Sequence, residues 1–517
     1  MNTTPLFASF RISFLPPLMV YIASGISGLT AIVGTFFVKE YLGLSAQFLA
    51  ALSFWLVLPW TLKMPAGHLV DLLWRWKEWM VVLGAGFLLG SIAIMLGLLM
   101  EPEAMRAVMK AEHWYVLAAL LSPIGYMLQD VVADAMTVEA VPHTRADGTP
   151  IGPVELRAMH TTMQTLGRIA VVGGTTIVAL INVGFLAGVE ALPRAAKAGV
   201  YAKVYLAALA IPLVSVAGVF VAAWLRRRGH GRQSMLRAAT PVNWWVLGGG
   251  AVFAAVSVAV GMSGVKYGQE IVFVVALAIL IFLIRHLVRE LEPEARATLV
   301  GTAVVIFVLR AVPSPGAGAN WWSIDVLHFD PSFLATLTMI AGLVALAGLC
   351  AYQRYMAHRS IYFVVGMLSV LSALMALPQI GMFYGLHEWT SLHTGGIVGA
   401  RFIAVLDTTL ESPLGQIAMV PMLAWIANTA PDRLKATYFA VMASFTNLAY
   451  SAAHLGSKYL NRTFEVTREV RDVATGAIKI PADYTHMGTL FIICGVLTLV
   501  LPLTAIALMR AARLRGA

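Results

Sequence analysis

The stretch YMLQDVVADAMTVE, residues Tyr126–Glu139, decides how the chain is interpreted, because it places two acids inside a long apolar segment. Asp130 and Asp134 are four residues apart and therefore share one helical face. A carboxylate near mid-membrane costs at least ~2.5–3.5 kcal/mol, so such groups face a partner or a water-filled cavity. We interpret Gln129, Asp130 and Asp134 as substrate-binding or coupling residues and Glu139 as a rim residue. The alternative is that the acids only hold helices together through fixed ion pairs.

The composition identifies a polytopic membrane protein. Of 517 residues, 59% are hydrophobic and 12% are charged, against about 25% charged in an ordinary soluble domain. The net charge of +10 does not indicate nucleic-acid binding, because the basic residues lie in short loops, where they set membrane orientation. Cys350 and Cys494 lie in separate apolar segments, which supports neither a disulfide framework nor a thiolate metal site. We interpret the first apolar segment as a retained helix rather than a signal peptide.

Fourteen segments are long and apolar enough to be candidate spans. They lie at about 14–38, 46–62, 79–100, 114–140, 156–188, 200–225, 244–264, 268–290, 297–313, 332–352, 361–382, 397–427, 435–459 and 487–510. Their six-two-six pattern predicts an all-α polytopic membrane protein built from two six-helix bundles. The predicted bounds are 1–225 for the N-terminal bundle, 226–243 for a basic cytoplasmic linker, 244–290 for an inserted transmembrane hairpin and 291–517 for the C-terminal bundle.

The basic residues predict the orientation. With the N-terminus inside, 21 of the 36 Lys and Arg residues fall at cytoplasmic positions and 11 at outer positions. Because cytoplasmic loops carry an excess of Lys and Arg, we expect both termini in the cytoplasm and the chain in the cytoplasmic membrane. The segment 461–486 is the exception, since it carries four bases on the predicted outer side, offset by four acids.

A short motif follows the second predicted span. In PWTLKMPAGHLVDLLWRWK, residues 59–77, Gly67, Asp71 and Arg75 recur four residues apart. This spacing brings the acid and the base onto one helical face, with a small residue that permits close approach. The motif resembles the cytoplasmic G-x-x-x-D-x-x-x-R signature of the major facilitator superfamily. That resemblance implies a gate latch on the cytoplasmic side, with Arg75 meeting Asp134 or Glu139.

The fifth predicted span contains Gln164 and Arg168 in MHTTMQTLGRIAVVGG. Counted from the cytoplasmic helix ends at ~1.5 Å per residue, Arg168 and Asp130 both fall about 15 Å deep, so they could pair. A transmembrane arginine stays charged. It therefore either neutralises Asp130 permanently or is shared between Asp130 and an anionic substrate.

The second half has its own candidates. In GARFIAVLDTTLESPLGQIAMVPML, Asp407 and Glu411 repeat the four-residue spacing of the first acid pair. Arg310 precedes a proline-rich break and either lines a cavity or reaches the outer surface. Asn447 and His454 share a polar stripe on the eleventh core span. Repeated halves with sites at their interface are typical of rocking transporters.

Longer motifs resemble the folate-biopterin transporter family, a branch of the major facilitator superfamily. They are PW..K...G...D at Pro59–Asp71, QDVVADAMTVE at Gln129–Glu139, GRIAVVGG at Gly167–Gly174, VPSPGAGANWWSIDVLHFDPSFL at Val312–Leu334 and the block at Ile417–Ala449. The last block is the most specific, because its pattern is long and unlike generic apolar sequence. The hairpin at 244–290 departs from the family's usual linker.

The resemblance implies proton-coupled transport of folates or pterins by a monomer that needs no cofactor or metal. Its expected partners are the small-molecule substrate, protons and membrane lipids. A carboxylate can accept the adjacent N–H groups of a pterin ring, so Asp130 or Asp407 is expected to bind the ring. Arg168 or Arg310 is expected to bind the anionic tail. Protonation of the second acid of either pair is expected to couple the proton gradient to opening.

Two other functions fit the same sequence. The chain could carry another amphipathic anion, or it could be a non-transporting membrane assembly factor. Paired ionisable residues in both halves favour transport over assembly, because a scaffold does not need them. An enzyme is not expected, since the sequence contains no nucleophile with a base, no metal cluster and no phosphate-binding loop.

Overall fold

The structure, a computed structural model, describes residues 10–42, 44–73, 76–142, 149–228, 242–288, 292–356, 360–417, 435–471 and 478–512. The described residues are almost entirely helical. Their strands are Val470–Arg471 and Ile478–Ile480, which pair antiparallel as β1 and β2 with a register shift between Val470 and Arg471. The predicted all-α polytopic fold class is therefore confirmed.

Described helices up to the basic linker are numbered in chain order. They are α1 (Leu15–Ile26), α2 (Ala31–Phe37), α3 (Ala46–Thr61), α4 (Lys63–Leu72), α5 (Lys77–Met100), α6 (Pro102–Val108), α7 (Ala111–Ala140), α8 (Pro153–Leu186), α9 (Arg194–Ala208) and α10 (Ala210–Arg227). Those that follow are α11 (Trp244–Ser263), α12 (Gly268–Val288), α13 (Pro293–Arg310), α14 (Ala317–Asp325), α15 (Pro331–Met356), α16 (Ile361–Phe383), α17 (Leu386–His393), α18 (Ala400–Ile417), α19 (Lys435–Thr463) and α20 (Met487–Ala511).

Eleven helical segments of the described chain are long and apolar enough to cross a membrane. They are Ile12–Phe37, Ala46–Val70, Lys77–Met100, Ala111–Thr137, Thr165–Leu186, Ala196–Arg227, Trp244–Ser263, Gly268–Arg285, Pro331–Gly348, Ile361–Phe383 and Met487–Ala511. The other three predicted spans correspond to α13, α18 and α19, which are helical but more polar. The predicted span 397–427 also continues into residues outside the described ranges. The count of fourteen therefore stays a prediction.

The chain forms two compact units. The first contains Met1–Gly34 and Pro65–Leu247, and the second contains Thr35–Met64 and Gly248–Ala517. Helix α3 belongs to the second unit because it packs along α19. The Met64 amide donates to Ser444 Oγ at 3.1 Å, and Asn447 Nδ2 donates to the Trp60 carbonyl at 3.1 Å. Hydropathy predicts where α3 lies in the sequence but not which helices it packs against. The predicted domain bounds, which put α3 in the N-terminal bundle, remain a proposal.

Glycines bring the helices of the first unit together. A Cβ on Gly84 would lie 2.6 Å from the Gly125 carbonyl oxygen, so α5 and α7 meet backbone to backbone. A Cβ on Gly174 would lie 2.8 Å from the Ile22 carbonyl oxygen, which brings α8 equally close to α1. These contacts explain the small residues in the spans, because only glycine allows such an approach. They pair α5 with α7 and α8 with α1.

The inserted hairpin, α11 and α12, packs within the second unit. Phe253 and Val272 are buried in a core shared with Phe54 of α3. Gln269 Nε2 donates to the Ala51 carbonyl at 2.7 Å. At the same end, Lys458 Nζ of α19 lies 3.0 Å from Glu270 Oε1. The hairpin is thus fastened to α3 and α19 by apolar and polar contacts.

Candidate functional site

The acid pair of the first unit is joined to a tyrosine. Asp130 and Asp134 are half-buried on α7, and the Tyr21 hydroxyl of α1 donates to Asp134 Oδ1 at 2.6 Å. Tyr21 is 7% exposed, and its hydroxyl also lies within electrostatic range of Asp130 and Arg168. A hydrogen bond to a carboxylate stabilises its charged form. The structure therefore gathers Tyr21, Asp130, Asp134 and Arg168 on one side of α7.

Sequence reasoning did not find Tyr21. A single tyrosine in an apolar span is commonly a packing residue, and its partner is 113 positions away in the chain. The ring does pack, since a Cβ on Gly167 would lie 2.9 Å from Tyr21 Cε2. The signal that could have identified Tyr21 is its hydroxyl, because a tyrosine O–H that is buried in an apolar span usually has a hydrogen-bond partner.

Arg168 has an exposed side chain on α8. Among the described ion pairs, none joins Arg168 to Asp130. The direct pairing therefore stays a prediction, and both groups lie near Tyr21. An exposed guanidinium that keeps its charge can bind an external anion.

Gln129 lies on the opposite side of α7 from Tyr21. It is 2% exposed, and its Nε2 donates to the Val81 carbonyl of α5 at 3.3 Å. A Cβ on Gly84 of α5 would lie only 2.8 Å from Gln129 Cγ. Gln129 therefore contacts α5, and its position fits helix packing.

Several predicted residues lie outside what the structure describes. Arg75 is outside the described ranges, as are the side chains of Asp71, Glu139 and Gln164, whose helical positions are described. Gly67 is described, and a Cβ there would lie 3.8 Å from Val131 Cγ1, an ordinary contact distance. The latch between these residues stays a prediction.

The acid pair of the second unit has a different environment. Asp407 is half-buried on α18 and Glu411 is exposed one turn later. The Oδ1 atom of Asp407 is fully buried, and it has no hydrogen-bond partner in the described part of the chain. Burying a carboxylate oxygen without a donor penalises the ionised form.

The remaining predicted residues of this unit fasten helices together. Arg310 lies over the Tyr450 ring at 5.2 Å and donates to its hydroxyl, which joins α13 to α19. Asn447 holds α3 through the Trp60 carbonyl. His454 is half-buried on the same helix. Neither predicted alternative for Arg310, a cavity wall or a surface position, anticipated the contact with Tyr450.

The chain matches a known family over most of its length. A model of the BT1 family matches residues 24–516. A relative from Synechocystis sp., named folate-biopterin transporter, is 26% identical over 168 residues, which cover 31% of this chain and 33% of that protein. The match thus spans about a third of the curated relative. The family match confirms the resemblance predicted from the motifs.

Solved transporters share the fold. The peptide transporter POT in complex with sulfate aligns with a TM-score of 0.61 at 16% identity, over 100% of this chain and 98% of that chain. A POT family transporter in complex with 5-aminolevulinic acid gives 0.63 at 12% identity, over 97% and 96%. The inward open xylose transporter XylE from E. coli gives 0.54 at 12% identity, over 97% and 95%. These matches confirm the predicted major facilitator fold.

Proposed function

The chain belongs to the BT1 family, and we propose that it is a secondary active transporter of folate- or pterin-type compounds. The fold shared with solved transporters supports transport, and the relative named folate-biopterin transporter supports the substrate class. Transport would proceed by alternating access, in which the two bundles rock around a substrate near mid-membrane. The proposal includes proton coupling and a place in the cytoplasmic membrane with both termini inside.

The proposed substrate site uses the acid face of the first unit. A pterin ring presents an amino group beside a ring N–H, and one carboxylate accepts both. We assign this contact to Asp130, which lies on the same face of α7 as Asp134 and near Tyr21. Arg168 is assigned to the anionic tail, since its side chain is exposed near the same tyrosine. Arg310 is less suited, because it contacts Tyr450.

The observation that carries proton coupling is the buried Oδ1 of Asp407. Without a donor, this oxygen favours the neutral acid, and an exposed Glu411 one turn away offers a second carboxyl for proton exchange. Protonation would remove a buried charge, and release of the proton would restore it. Such a change can bias a two-state transporter toward one of its conformations.

We propose that Gly67, Asp71, Arg75 and Glu139 form the cytoplasmic latch. An acid and a base on one helical face can pair with ionisable residues at the inner end of α7 when the cytoplasmic side is closed. The motif's resemblance to the major facilitator signature supports this assignment.

Uptake into proteoliposomes tests the proposal. Purified protein would be reconstituted, and uptake of labelled folate and labelled biopterin would be measured with and without an inward proton gradient. We expect accumulation of at least one compound, stimulated by the gradient and abolished by a protonophore. Excess unlabelled folate and biopterin should compete, whereas unlabelled dipeptide should not.

The outcomes separate the candidate functions. Uptake that only an unrelated anion inhibits would favour a carrier of another amphipathic anion. A lack of uptake for every compound, together with co-purification of a stoichiometric partner, would favour an assembly factor. Uptake that is insensitive to the gradient would refute the coupling proposal and leave the substrate proposal intact.

A further inference from the structure

A small cap in the second unit contains part of the segment 461–486, which was the exception to the excess of Lys and Arg on the predicted cytoplasmic side. This hairpin cap consists of α14, the β1–β2 hairpin with residues 466–469 before it, and Tyr484. Val466 is 3% exposed, and a Cβ on Gly318 of α14 would lie 3.0 Å from its Cγ1. The segment that leads into the hairpin is therefore tightly packed against α14. The positive-inside count predicts this cap on the outer side of the membrane.

Arg468 lies inside the hairpin cap and is only 2% exposed. Its Nε, Nη1 and Nη2 atoms are all buried, and none has a hydrogen-bond partner in the ranges that the structure describes. A guanidinium carries five N–H donors and no acceptor. A buried charge with unpaired donors is strongly unfavourable. Arg468 therefore lacks an acceptor on its N–H edge.

The described neighbours of Arg468 accept no hydrogen bond from its N–H groups. Its Cζ lies over the Trp321 ring, 5.1 Å from the ring centre, a cation–π contact that supplies no hydrogen-bond acceptor oxygen. Asp325 acts on Arg468 through its charge, but it accepts the Tyr484 hydroxyl instead. Burial lowers the pKa of Arg468 to about 10, and Tyr484 and Asp325 partly oppose this shift. The guanidinium is thus still charged at neutral pH.

The backbone holds Arg468 in place. The Thr467 amide donates to the Asp483 carbonyl at 3.0 Å, and the Asp483 amide donates to the Thr467 carbonyl at 2.9 Å. Thr467 Oγ1 also donates to the Pro481 carbonyl at 2.9 Å. Since the adjacent residue is fixed on both sides, the side chain does not reach solvent by a simple rotation of the loop. The acceptor must therefore come to the arginine.

We propose that the hairpin cap binds a small carboxylate-type anion on the N–H groups of Arg468, beside the Trp321 ring. The planar fork of arginine matches the two oxygens of a carboxylate. Two sources share this chemistry, namely a free anion and the tail carboxylate of a folate-type substrate. The first source is independent of the transport proposal, and the second depends on it.

Thermal unfolding of the full-length protein in detergent tests this site. Sodium formate would replace sodium chloride at constant ionic strength, because chloride lacks the paired oxygens that match the fork of the arginine. We expect a saturable rise in Tm of about 2 °C or more in the wild type, since a ligand of the folded state stabilises it. Arg468→Gln should remove the rise, and Arg468→Lys should retain a smaller one.

Arg401 provides a matched control. It lies over the Phe333 ring at 5.1 Å, as Arg468 lies over Trp321, but it is paired with Asp330 at 2.8 Å. Arg401→Gln should therefore keep the full formate response. Equal responses in Arg468→Gln and the wild type, or no saturable response in the wild type, would overturn the proposal. The wild-type titration and Arg468→Lys decide the matter if the glutamine variant does not fold.

Folate and biopterin distinguish the two sources. A folate-induced rise in Tm that requires Arg468, without a matching biopterin effect, assigns the anion to the substrate tail. An Arg468-dependent response to formate alone assigns the site to a free anion. Both results support the site. Neither measurement requires transport, so failure of the uptake assay does not affect the conclusion.

Discussion

The two acid pairs have the same spacing and different surroundings. Asp134 of the first pair accepts the Tyr21 hydroxyl at 2.6 Å, whereas Oδ1 of Asp407 in the second pair is buried without a hydrogen-bond partner in the described chain. Donors stabilise a carboxylate charge, and burial without donors opposes it. We propose a division of labour, in which the first pair binds substrate and the second gains and loses a proton.

The comparison also shows why spacing alone does not assign roles. An i,i+4 pair fixes only that two side chains share a helical face. What each carboxylate does depends on groups from other helices, such as Tyr21 of α1. Similar sequence patterns in the two halves thus allow different chemistry.

Removal of the proposed proton carrier should have the largest effect. Asp407→Asn preserves shape but cannot take up a proton, so gradient-driven uptake should fall to the level of empty liposomes. Exchange of labelled for unlabelled substrate across equal pH should continue, because it needs no net proton movement. Uptake and counterflow assays measure the two modes.

Glu388→Gln is the control for this variant, since Glu388 is an exposed acid of α17 in the same unit. It should support normal uptake and exchange. Normal gradient-driven uptake by Asp407→Asn would remove Asp407 from the mechanism and erase the difference between the pairs.

The equivalent change in the first pair should impair binding. Asp130→Asn replaces a charged double acceptor with a neutral group, and hydrogen bonds to charged groups are worth about 1.5–3 kcal/mol. Affinity for the pterin ring should fall about 10- to 100-fold, so proton-driven uptake and exchange decrease together. Equilibrium binding of labelled substrate measures the loss. A variant that binds normally but loses only gradient-driven uptake would reverse the assigned roles of the two pairs.

Sequence alone was sufficient for the fold class. A bilayer requires every backbone polar group to be bonded internally, so apolar segments of spanning length predict helices. The same reasoning did not reveal that α3 packs with α19 in the second unit, because hydropathy contains no information on partners. Apolar length is a weaker indicator of a membrane span for the three more polar helices, α13, α18 and α19.

The candidate site was only partly predictable. The cost of a buried charge identified Asp130 and Asp407 as exceptions to the apolar pattern. Tyr21 was missed because its role comes from a contact between distant segments. Arg468 was missed because a loop arginine is ordinarily solvated, and its burial depends on how the segment that contains it packs against α14, through Val466 and the Trp321 ring.

The hydroxyl of Tyr21 should have an intermediate effect. Tyr21→Phe keeps the ring that packs near Gly167 and removes the donor to Asp134. Loss of a hydrogen bond to a charged group should weaken substrate binding about 5- to 10-fold if this bond positions the acid face. Tyr205→Phe, at another buried tyrosine of the unit, should leave affinity unchanged. Equal affinities for both variants would mean that the Tyr21 hydroxyl does not position the acid face.

The smallest effect is expected on the other side of α7. Gln129 is adjacent to Asp130 in sequence but contacts α5, where its Nε2 donates to the Val81 carbonyl and its Oε1 is buried without a partner among the described residues. Gln129→Met keeps the length of the side chain and removes an amide that is only half satisfied. The Val81 carbonyl keeps its intrahelical donor in α5, so the free energy of unfolding should change by less than about 1 kcal/mol. Substrate affinity and the gradient dependence of uptake should match the wild type. A large loss of affinity with unchanged Tm would place Gln129 in the binding site and extend that site around the helix toward α5.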